Sequence, residues 1–183
     1  MELHSPLIGV DIFLRSLSPS DANTKYLGWL SDPLINKHLE VRFAPPQATR
    51  DLASFIVEAN ASVHTLMLGI FLRQNELHIG NIKLGPIDWN HQVGDIGFLI
   101  GDKDYWGKGY ASNAIAMLVD YAFINMGIAK VTAGCYEENE GSRCALLKAG
   151  FLEEGRRYSQ YLFEGKRQDG ILLGRRNPSM VVG

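Results

Sequence analysis

The sequence predicts a mixed α/β (α+β) fold, with a mostly antiparallel central sheet of about seven strands flanked by helices. First, the apolar residues switch between strand-like alternation and helical spacing along the chain. Second, the strand-like segments in the middle of the chain are short and separated by turn residues, as in an antiparallel meander. Third, 183 residues with 46% hydrophobic and 21% charged residues suit one globular domain, which we expect to span residues 1–183.

The N-terminal part is predicted to contain one strand followed by helices. Alternating apolar residues indicate the strand. Ser18–Asp21 offers capping side chains for the first helix, and Thr49 is predicted to cap the last helix of this N-terminal part. The adjacent prolines Pro45 and Pro46 predict a loop before that last helix. In chain order, the predicted elements are a strand Val10–Leu17, a helix running through Leu30, a short helical piece Pro33–Leu39 and a helix beginning at Thr49.

The rest of the chain is predicted to alternate strands with two helices. Apolar residues at helical spacing, ended by Gly127, indicate a long amphipathic helix after the meander. A second helix is closed by Gly150. In chain order, the predicted elements are the strands Thr65–Leu72, His78–Leu84 and Gln92–Ile100, a helix Ala111–Met126, a strand Lys130–Tyr136, a helix Asn139–Ala149, and the strands Phe151–Phe163 and Arg167–Gly174.

Composition excludes several classes of function. A net charge of −2 creates no field that attracts nucleic acid. The histidines and the two cysteines, Cys135 and Cys144, show no metal-ligand spacing, so we expect no metal and two reduced thiols. Apolar runs such as Leu66–Leu72 are far shorter than the ~20 residues of a membrane span, and the first residues lack a signal-peptide pattern. We therefore expect a cytoplasmic protein.

A glycine-rich segment joins the third meander strand to the long helix. Gly107 and Gly109 let backbone amides turn inward without obstruction by a Cβ atom, and the positive end of the helix dipole points to the same place. Such an arrangement binds anions such as pyrophosphate, although the glycines also suit a simple turn. A Walker loop is excluded because Gly109 follows Lys108. A dinucleotide fingerprint is excluded because Ser112 stands where its third glycine belongs.

Two segments of the sequence resemble the GNAT superfamily of N-acyltransferases, in the form typical of its RimJ/RimL-like branch. Residues 105–111, Tyr-Trp-Gly-Lys-Gly-Tyr-Ala, closely match the loop that holds the pyrophosphate of acetyl-CoA. Asn139 and Ser142, followed by 147–151, resemble the Asn-x-x-Ser…Lys-x-Gly-Phe segment. The element order is also similar, over about residues 10–175. The resemblance implies a GNAT fold with a splay between the fourth and fifth strands, and an N-acetyltransferase with acetyl-CoA as donor.

The resemblance implies roles for individual residues. Pantetheine would lie in the splay against the backbone of the fourth strand, with Phe98 and Ile100 as contacts. Asn139 and Ser142 would face the pantetheine arm, although the pair also suits capping of the following helix, and the two roles are compatible. The pyrophosphate would meet the backbone amides of Gly107, Lys108, Gly109, Tyr110 and Ala111.

Acyl transfer to an amine requires a proton to leave the ammonium group, the thioester carbonyl to be polarised and the departing thiolate to be stabilised. Asp95 stands where many relatives of the branch carry glutamate, and strand alternation places it on one face with Gly97 and Leu99. Asp95 is therefore the candidate base, acting through water, and a solvated carboxylate beside a turn is the alternative. The second-choice candidates are Tyr136, Glu137 and Glu138.

The sequence departs from the family at two positions. Leu146 replaces the tyrosine that many GNAT enzymes use as acid for the thiolate. Ser142, Tyr136 or a water could substitute, or the thiolate could leave unprotonated into an electropositive site. Asp104 occupies the first position of the pyrophosphate loop, commonly glutamine or arginine, and Lys108 could supply charge instead.

The residues that would select the acceptor support several interpretations. Tyr26–Pro33 resembles the opening of RimJ/RimL-like proteins, including some that modify nucleotide-linked amino sugars, although its apolar side chains also suit helix packing. His38 and His91 are alternative bases or ordinary surface residues. Arginines that could bind an anionic acceptor, or are simply scattered over the surface, are Arg42, Arg50, Arg156, Arg157 and Arg167.

Three functions therefore stand side by side. The favoured one is acetylation of a small-molecule amine such as a nucleotide-linked amino sugar, which a closed pocket with clustered arginines would support. The second is acetylation of a protein N-terminus, which an open groove between the first helices and the last hairpin would support. The third is a non-catalytic acyl-CoA-binding module. We expect no nucleic-acid or membrane partner, and a homodimer is left open.

Overall fold

One eight-stranded sheet organises the computed structural model, which describes residues 1–180. Its strand order is β1-β2-β3-β4-β5-β6-β8-β7. The sheet has one strand more than the sequence predicted, because β1 is only two residues long and too short for a periodic pattern. The predicted domain also includes residues 181–183, which lie outside the described residues. The strands are β1 Leu7–Ile8, β2 Ile12–Ser16, β3 Leu66–Leu72, β4 His78–Asp88, β5 Val93–Ile100, β6 Lys130–Tyr136, β7 Leu152–Phe163 and β8 Lys166–Arg176.

Five α-helices accompany the sheet within residues 1–180. The helix predicted from Ser18 begins later, because Asn23 caps it by accepting a hydrogen bond from the amide of Tyr26 at 3.0 Å. Residues 19–21 form a separate 3₁₀ turn, in which Asp21 binds Arg15 at 2.7 Å. Thr49 is the first residue of its helix rather than the cap. The helices are α1 Thr24–Ser31, α2 Pro33–Asn36, α3 Thr49–Ala61, α4 Tyr110–Asn125 and α5 Glu140–Lys148.

The sheet has an apolar core on each face. Ile96 of β5 belongs to the larger core, which includes α4 residues such as Ile115 and Leu118. Leu99, on the opposite face of β5, packs against the smaller core, which contains Trp29 of α1 and Ile56 of α3. Because strand side chains alternate between faces, one face of the sheet supports α4 and the other supports α1 and α3.

Helix α1 is fixed to the segment that follows β5. A Cβ atom at Gly101 would overlap the ring of Trp29, so glycine is needed for this close approach. Two ion pairs reinforce the contact: Lys25 with Asp102 at 2.7 Å, and Lys103 with Asp32 at 2.6 Å. The first helices are therefore held next to the glycine-rich loop.

The strands β5 and β6 separate soon after they pair. They are parallel, and their paired residues are Val93–Asp95 and Lys130–Thr132. Beyond Asp95 and Thr132 the ladder stops, although β5 continues to Ile100 and β6 to Tyr136. This confirms the predicted splay, which opens the sheet between these strands.

No helix within residues 1–180 is both long enough and apolar enough to cross a membrane.

The buried ring of His78 makes stability depend on pH. Its Nε2 lies 2.9 Å from the carbonyl oxygen of Gly80 and 3.0 Å from Oδ1 of Asn81. Burial lowers the pKa of His78 from its ordinary value of 6.5 and outweighs these two hydrogen bonds. Below pH 6.5 the unfolded chain binds a proton that the folded chain resists, so the free energy of unfolding falls. We expect Tm, measured by circular dichroism, to decline between about pH 6.5 and 5.

A matched pair of variants tests this assignment. In His78→Gln, part of the Tm decline below about pH 6.5 should disappear, even though the variant is less stable at every pH. In His4→Gln, which changes an exposed histidine, the decline should match that of the parent protein. An equal decline in His78→Gln and the parent would contradict the assignment.

Candidate functional site

A cavity of ≈ 550 Å³ lies where the splay meets the beginning of α4. Five parts of the chain form its wall: the end of β5, the glycine-rich loop, the first turn of α4, α5 with the two residues before it, and α2 with the residues after it. Of the predicted cofactor-binding residues, those that line the cavity are Phe98, Ile100, Gly107, Gly109, Tyr110, Ala111, Asn139 and Ser142. The structure therefore brings together predicted residues from three separate parts of the sequence.

The loop before α4 presents backbone amides to this cavity. Gly107 and Gly109 have φ of 71° and 84°, in the left-handed region that favours glycine. Gly109 occupies the N-cap position and has no side chain to cap the helix, so the first amides of α4 are left without a capping partner. The Trp106 indole N–H anchors the loop by donating to the carbonyl oxygen of Ile100 at 2.7 Å. The arrangement can bind an anionic group.

Lys108 does not line the cavity. Its ammonium group lies 5.1 Å from the centre of the Tyr105 ring. The cavity wall does contain Lys37 and Lys148, together with Glu138 and Glu140, so charges of both signs surround the space. The lysines of the cavity wall thus come from the segment after α2 and from α5, not from the loop itself.

Asn139 and Ser142 cap α5 and also line the cavity. The Oδ1 atom of Asn139 accepts a hydrogen bond from the amide of Ser142 at 3.2 Å, which makes Asn139 the N-cap residue. The capping interpretation of this pair is therefore correct. Contact with a cofactor is compatible with it and stays a prediction.

Asp95 lies at the apex of the splay rather than in the cavity wall. Thr132 is its partner in the last paired position, and the Thr132 hydroxyl donates to Oδ2 of Asp95 at 2.9 Å. Burial raises the pKa of Asp95 above its ordinary value, and the Thr132 hydrogen bond and the charge of Lys83 only partly oppose this effect. The residue is nevertheless exposed at its surface, so its carboxylate can exchange a proton with solvent water.

Tyr136 is buried and hydrogen-bonded outside the cavity wall. Its hydroxyl accepts from Arg42 at 2.7 Å and donates to Glu40 at 3.3 Å. The ring stacks on that of Tyr161, with centroids 4.1 Å apart. Tyr136 therefore ties the segment after α2 to the end of β6, and its predicted catalytic role stays a prediction. Of its neighbours, Glu138 lines the cavity and Glu137 pairs with Arg156 at 2.5 Å.

Leu146 belongs to the apolar core and is only 1% exposed. It packs in the core that includes Phe151 and α4 residues such as Leu118. A leucine at this position is thus explained by packing.

Sequence reasoning missed much of the wall next to the first helices. Leu34, Ile35 and Leu39 line the cavity, but their segment is too short to show a periodic signal. His38, named as an alternative base, also lines it, and its ring lies 5.3 Å from those of Tyr136 and Phe163. Burial, reinforced by the charges of nearby basic residues, lowers the pKa of His38, so its imidazole is neutral at pH 7.

Three of the predicted anion-binding arginines are engaged elsewhere. Arg42 donates to Tyr136, and Arg156 pairs with Glu137 and with Asp169, the latter at 3.0 Å. Arg50 lies 3.7 Å from Asp51 on α3. No arginine is among the residues that line the cavity within the described part of the chain.

Comparison with known proteins identifies the family. The model of the acetyltransferase (GNAT) domain matches residues 11–152. This chain belongs to the GNAT acetyltransferase family. It is an N-acetyltransferase, and enzymes of this family use acetyl-CoA as the acyl donor. The predicted family and the predicted enzyme class are thereby confirmed.

The sequences of two relatives agree with this assignment. The chain is 28% identical to the uncharacterized N-acetyltransferase p20 of Bacillus licheniformis over 143 residues, which cover 78% of this chain and 79% of the relative. It is 28% identical to the spermidine N(1)-acetyltransferase of Vibrio cholerae over 91 residues, which cover 50% and 52%.

Two solved structures share the fold at low identity. An acetyltransferase (GNAT family) from Bacillus anthracis superimposes with a TM-score of 0.80 at 19% identity, covering 94% of this chain and 99% of that one. The ribosomal-protein-S5-alanine acetyltransferase from Vibrio fischeri gives a TM-score of 0.77 at 20% identity, covering 97% and 100%. The predicted GNAT fold is confirmed.

The left-handed glycine at the start of α4 provides a test of the anion site. Gly109→Ala places a Cβ atom on a residue with φ of 84°, which strains the loop and displaces its amides. We expect the Kd for CoA, measured by calorimetry, to rise about tenfold or more. Gly165→Ala creates the same kind of strain, at φ of 76°, in the β7–β8 turn. It should lower Tm without changing the Kd, and equal Kd values for both variants would contradict the assignment.

Proposed function

We propose that this N-acetyltransferase transfers an acetyl group from acetyl-CoA to a small-molecule primary amine, by direct attack of the amine on the thioester. The observation that carries the proposal is the cavity at the splay, bounded on one side by the open strand β5 and on the other by the amides before α4. The proposal places the enzyme in the cytoplasm, where Cys135 and Cys144, both free thiols in the structure, would stay reduced.

The residues around the cavity fit the chemical parts of acetyl-CoA. The amides of Gly107–Ala111 suit the pyrophosphate, because they converge at the positive end of α4. The unpaired backbone of Phe98 and Ile100 suits the amide groups of pantetheine. Asn139 and Ser142 would face the same arm from α5. When bound, acetyl-CoA supplies an acyl carbon that an amine can attack without a covalent enzyme intermediate.

Asp95 is the proposed general base. An amine must lose a proton before or as it attacks, and Asp95 lies at the apex of the splay with its carboxylate open to water. A pKa above the ordinary value suits a base, because such a carboxylate binds a proton more strongly. The neutral imidazole of His38 in the cavity wall is the second candidate.

Contacts between the first helices and the last hairpin favour a small acceptor. The His38 and Phe163 rings lie 5.3 Å apart, so the two regions touch where a peptide groove would have to run. No arginine lies in the described cavity wall, so the wall offers no guanidinium group to bind the diphosphate of a nucleotide-linked acceptor. A relative named spermidine N(1)-acetyltransferase supports a small amine acceptor. Nucleotide-linked amino sugars and protein N-termini are tested as acceptors alongside small amines.

Calorimetry and a thiol-release assay test the proposal. We expect acetyl-CoA and CoA to bind with micromolar Kd, and thiol release with one of the pools of small amines, which include spermidine and nucleotide-linked amino sugars. Release with short peptides alone would contradict the small acceptor and favour the protein N-terminus. Binding without release on any pool would favour a non-catalytic acyl-CoA-binding module, and no binding would overturn the proposal.

Substitution of Asp95 tests the base. Asp95→Asn should lower kcat/KM at neutral pH by about 10²-fold and remove the acidic limb of the pH profile. Thr132→Val removes the hydrogen bond that lowers the pKa of Asp95, so it should shift this limb to higher pH. Asp120→Asn, on the exposed side of α4, should leave the profile unchanged. An unaltered acidic limb in Asp95→Asn would exclude Asp95, and its loss in His38→Gln would assign the role to His38.

A further inference from the structure

Two glycines leave a trough over the splay on the face that carries α1 and α3. Strand alternation and the Asp95–Thr132 hydrogen bond place Gly97 of β5 and Gly134 of β6 on this face. A Cβ atom at Gly97 would meet nothing within 4 Å, and one at Gly134 would have the hydroxyl of Tyr161 as its nearest neighbour, at 3.8 Å. The trough, defined here by Gly97 and Gly134, thus begins at the Asp95 carboxylate and is bordered by a phenol.

Tyr161 reaches this trough from the edge strand of the sheet. It lies on β7, and its ring crosses β8 above Gly170, where a Cβ atom would come within 2.9 Å of the ring. Glycine at position 170 therefore lets the phenol extend across β8 to β6. The Tyr136 ring, stacked at 4.1 Å, holds the phenol from the side.

The partner ring is itself fixed, which makes the phenol position well defined. Tyr136 is held by Arg42 and Glu40 through its hydroxyl. Its own hydroxyl is therefore engaged away from the trough, whereas that of Tyr161 ends over Gly134. Of the two stacked tyrosines, Tyr161 is the one placed to reach a group lying in the splay.

We propose that Tyr161 is the proton donor to the sulfur that departs from the thioester, in place of the tyrosine that Leu146 replaces. This inference rests on the proposed function. As the amine nitrogen forms its bond to the acyl carbon, the carbon–sulfur bond breaks and the sulfur takes the proton of the Tyr161 hydroxyl. The ammonium form of the amine loses two protons on becoming an amide, one before it attacks and one after. Each passes by way of Asp95 to solvent, and the phenolate regains one proton from solvent, so the reaction releases one proton overall.

Burial, more than nearby charge, keeps this phenol protonated. Burial, together with Tyr136 and Glu40, raises the pKa of Tyr161, and Arg157 only partly opposes them. A phenol that retains its proton at neutral pH is available as an acid. Ser142 lines the cavity on α5, whereas Tyr161 is not part of its wall. Ser142 is therefore the competing donor, and it is included in the test.

Titration of bound CoA tests the proposal without an acceptor amine. A hydrogen bond from Tyr161 to the thiolate would favour ionisation of the CoA thiol. In Tyr161→Phe, the midpoint for ionisation of bound CoA, followed by ultraviolet absorbance of the thiolate, should therefore rise by about one pH unit. Tyr158→Phe removes a hydroxyl from the same strand, where the side chain is 80% exposed, and should leave the midpoint unchanged.

The outcomes separate this inference from the proposed function. Failure of the parent protein to bind CoA would overturn the proposed function itself. Normal binding with an unchanged midpoint in Tyr161→Phe, or a rise in Ser142→Ala alone, would overturn the role of Tyr161. Turnover gives the second readout: with the amine that releases thiol in the parent, Tyr161→Phe should lower kcat about 10²-fold at unchanged Kd for CoA. A rise in KM alone, with kcat retained, would make Tyr161 an acceptor contact and refute the proton donor.

Discussion

The functional architecture depends on the separation of β5 from β6 after three paired positions. A parallel ladder continued to Ile100 and Tyr136 would satisfy the backbone groups of both strands and close the sheet. Because it stops at Asp95 and Thr132, the backbone beyond is left to pair with a ligand, and the cavity forms there. The start of α4 faces the same opening, so backbone amides and a helix dipole converge on one space.

The two faces of the sheet divide the chemistry. Phe98 and Ile100 pack towards the core around α4, on the side where the glycine-rich loop lies. Asp95 and Gly97 point to the other face, which carries α1 and the first helices. The splay connects the faces, so a donor held from one side and an amine arriving from the other would meet between the strands.

Sequence reasoning located those parts of the cavity wall that are built from contiguous residues. The loop with Gly107 and Gly109, and the pair Asn139 and Ser142, each follow from local backbone requirements, and the structure places both on one cavity. Element boundaries were less predictable, since Ser18 and Asn23 both offer capping chemistry. The structure uses Asn23 to cap α1, whereas Ser18 precedes a separate 3₁₀ turn. The strand β1 has two residues and no periodic signal.

The acceptor side could not be predicted from the sequence because its contacts join distant residues. His38, Tyr136 and Phe163 come from three separate parts of the chain. No spacing in the sequence predicts that their rings lie together. The approach of Tyr161 over Gly170 likewise depends on the register of the last hairpin, in which Tyr161 lies opposite Gln168. That register includes bulges between Glu153 and Gly155 and between Arg157 and Tyr161, which shift the strand by amounts that apolar alternation does not encode.

The contact of Trp29 with Gly101 has a consequence for how such enzymes diversify. The contact joins α1 to the segment that leads into the glycine-rich loop. The ion pairs of Lys25 with Asp102 and of Lys103 with Asp32 lie beside it. A descendant that rebuilt α1 and α2 for another amine would inherit a mechanical coupling to its donor site. A change of acceptor that leaves the donor site intact would therefore have to keep Trp29 in contact with Gly101, and it would be least constrained on the faces of α1 and α2 that point away from Gly101.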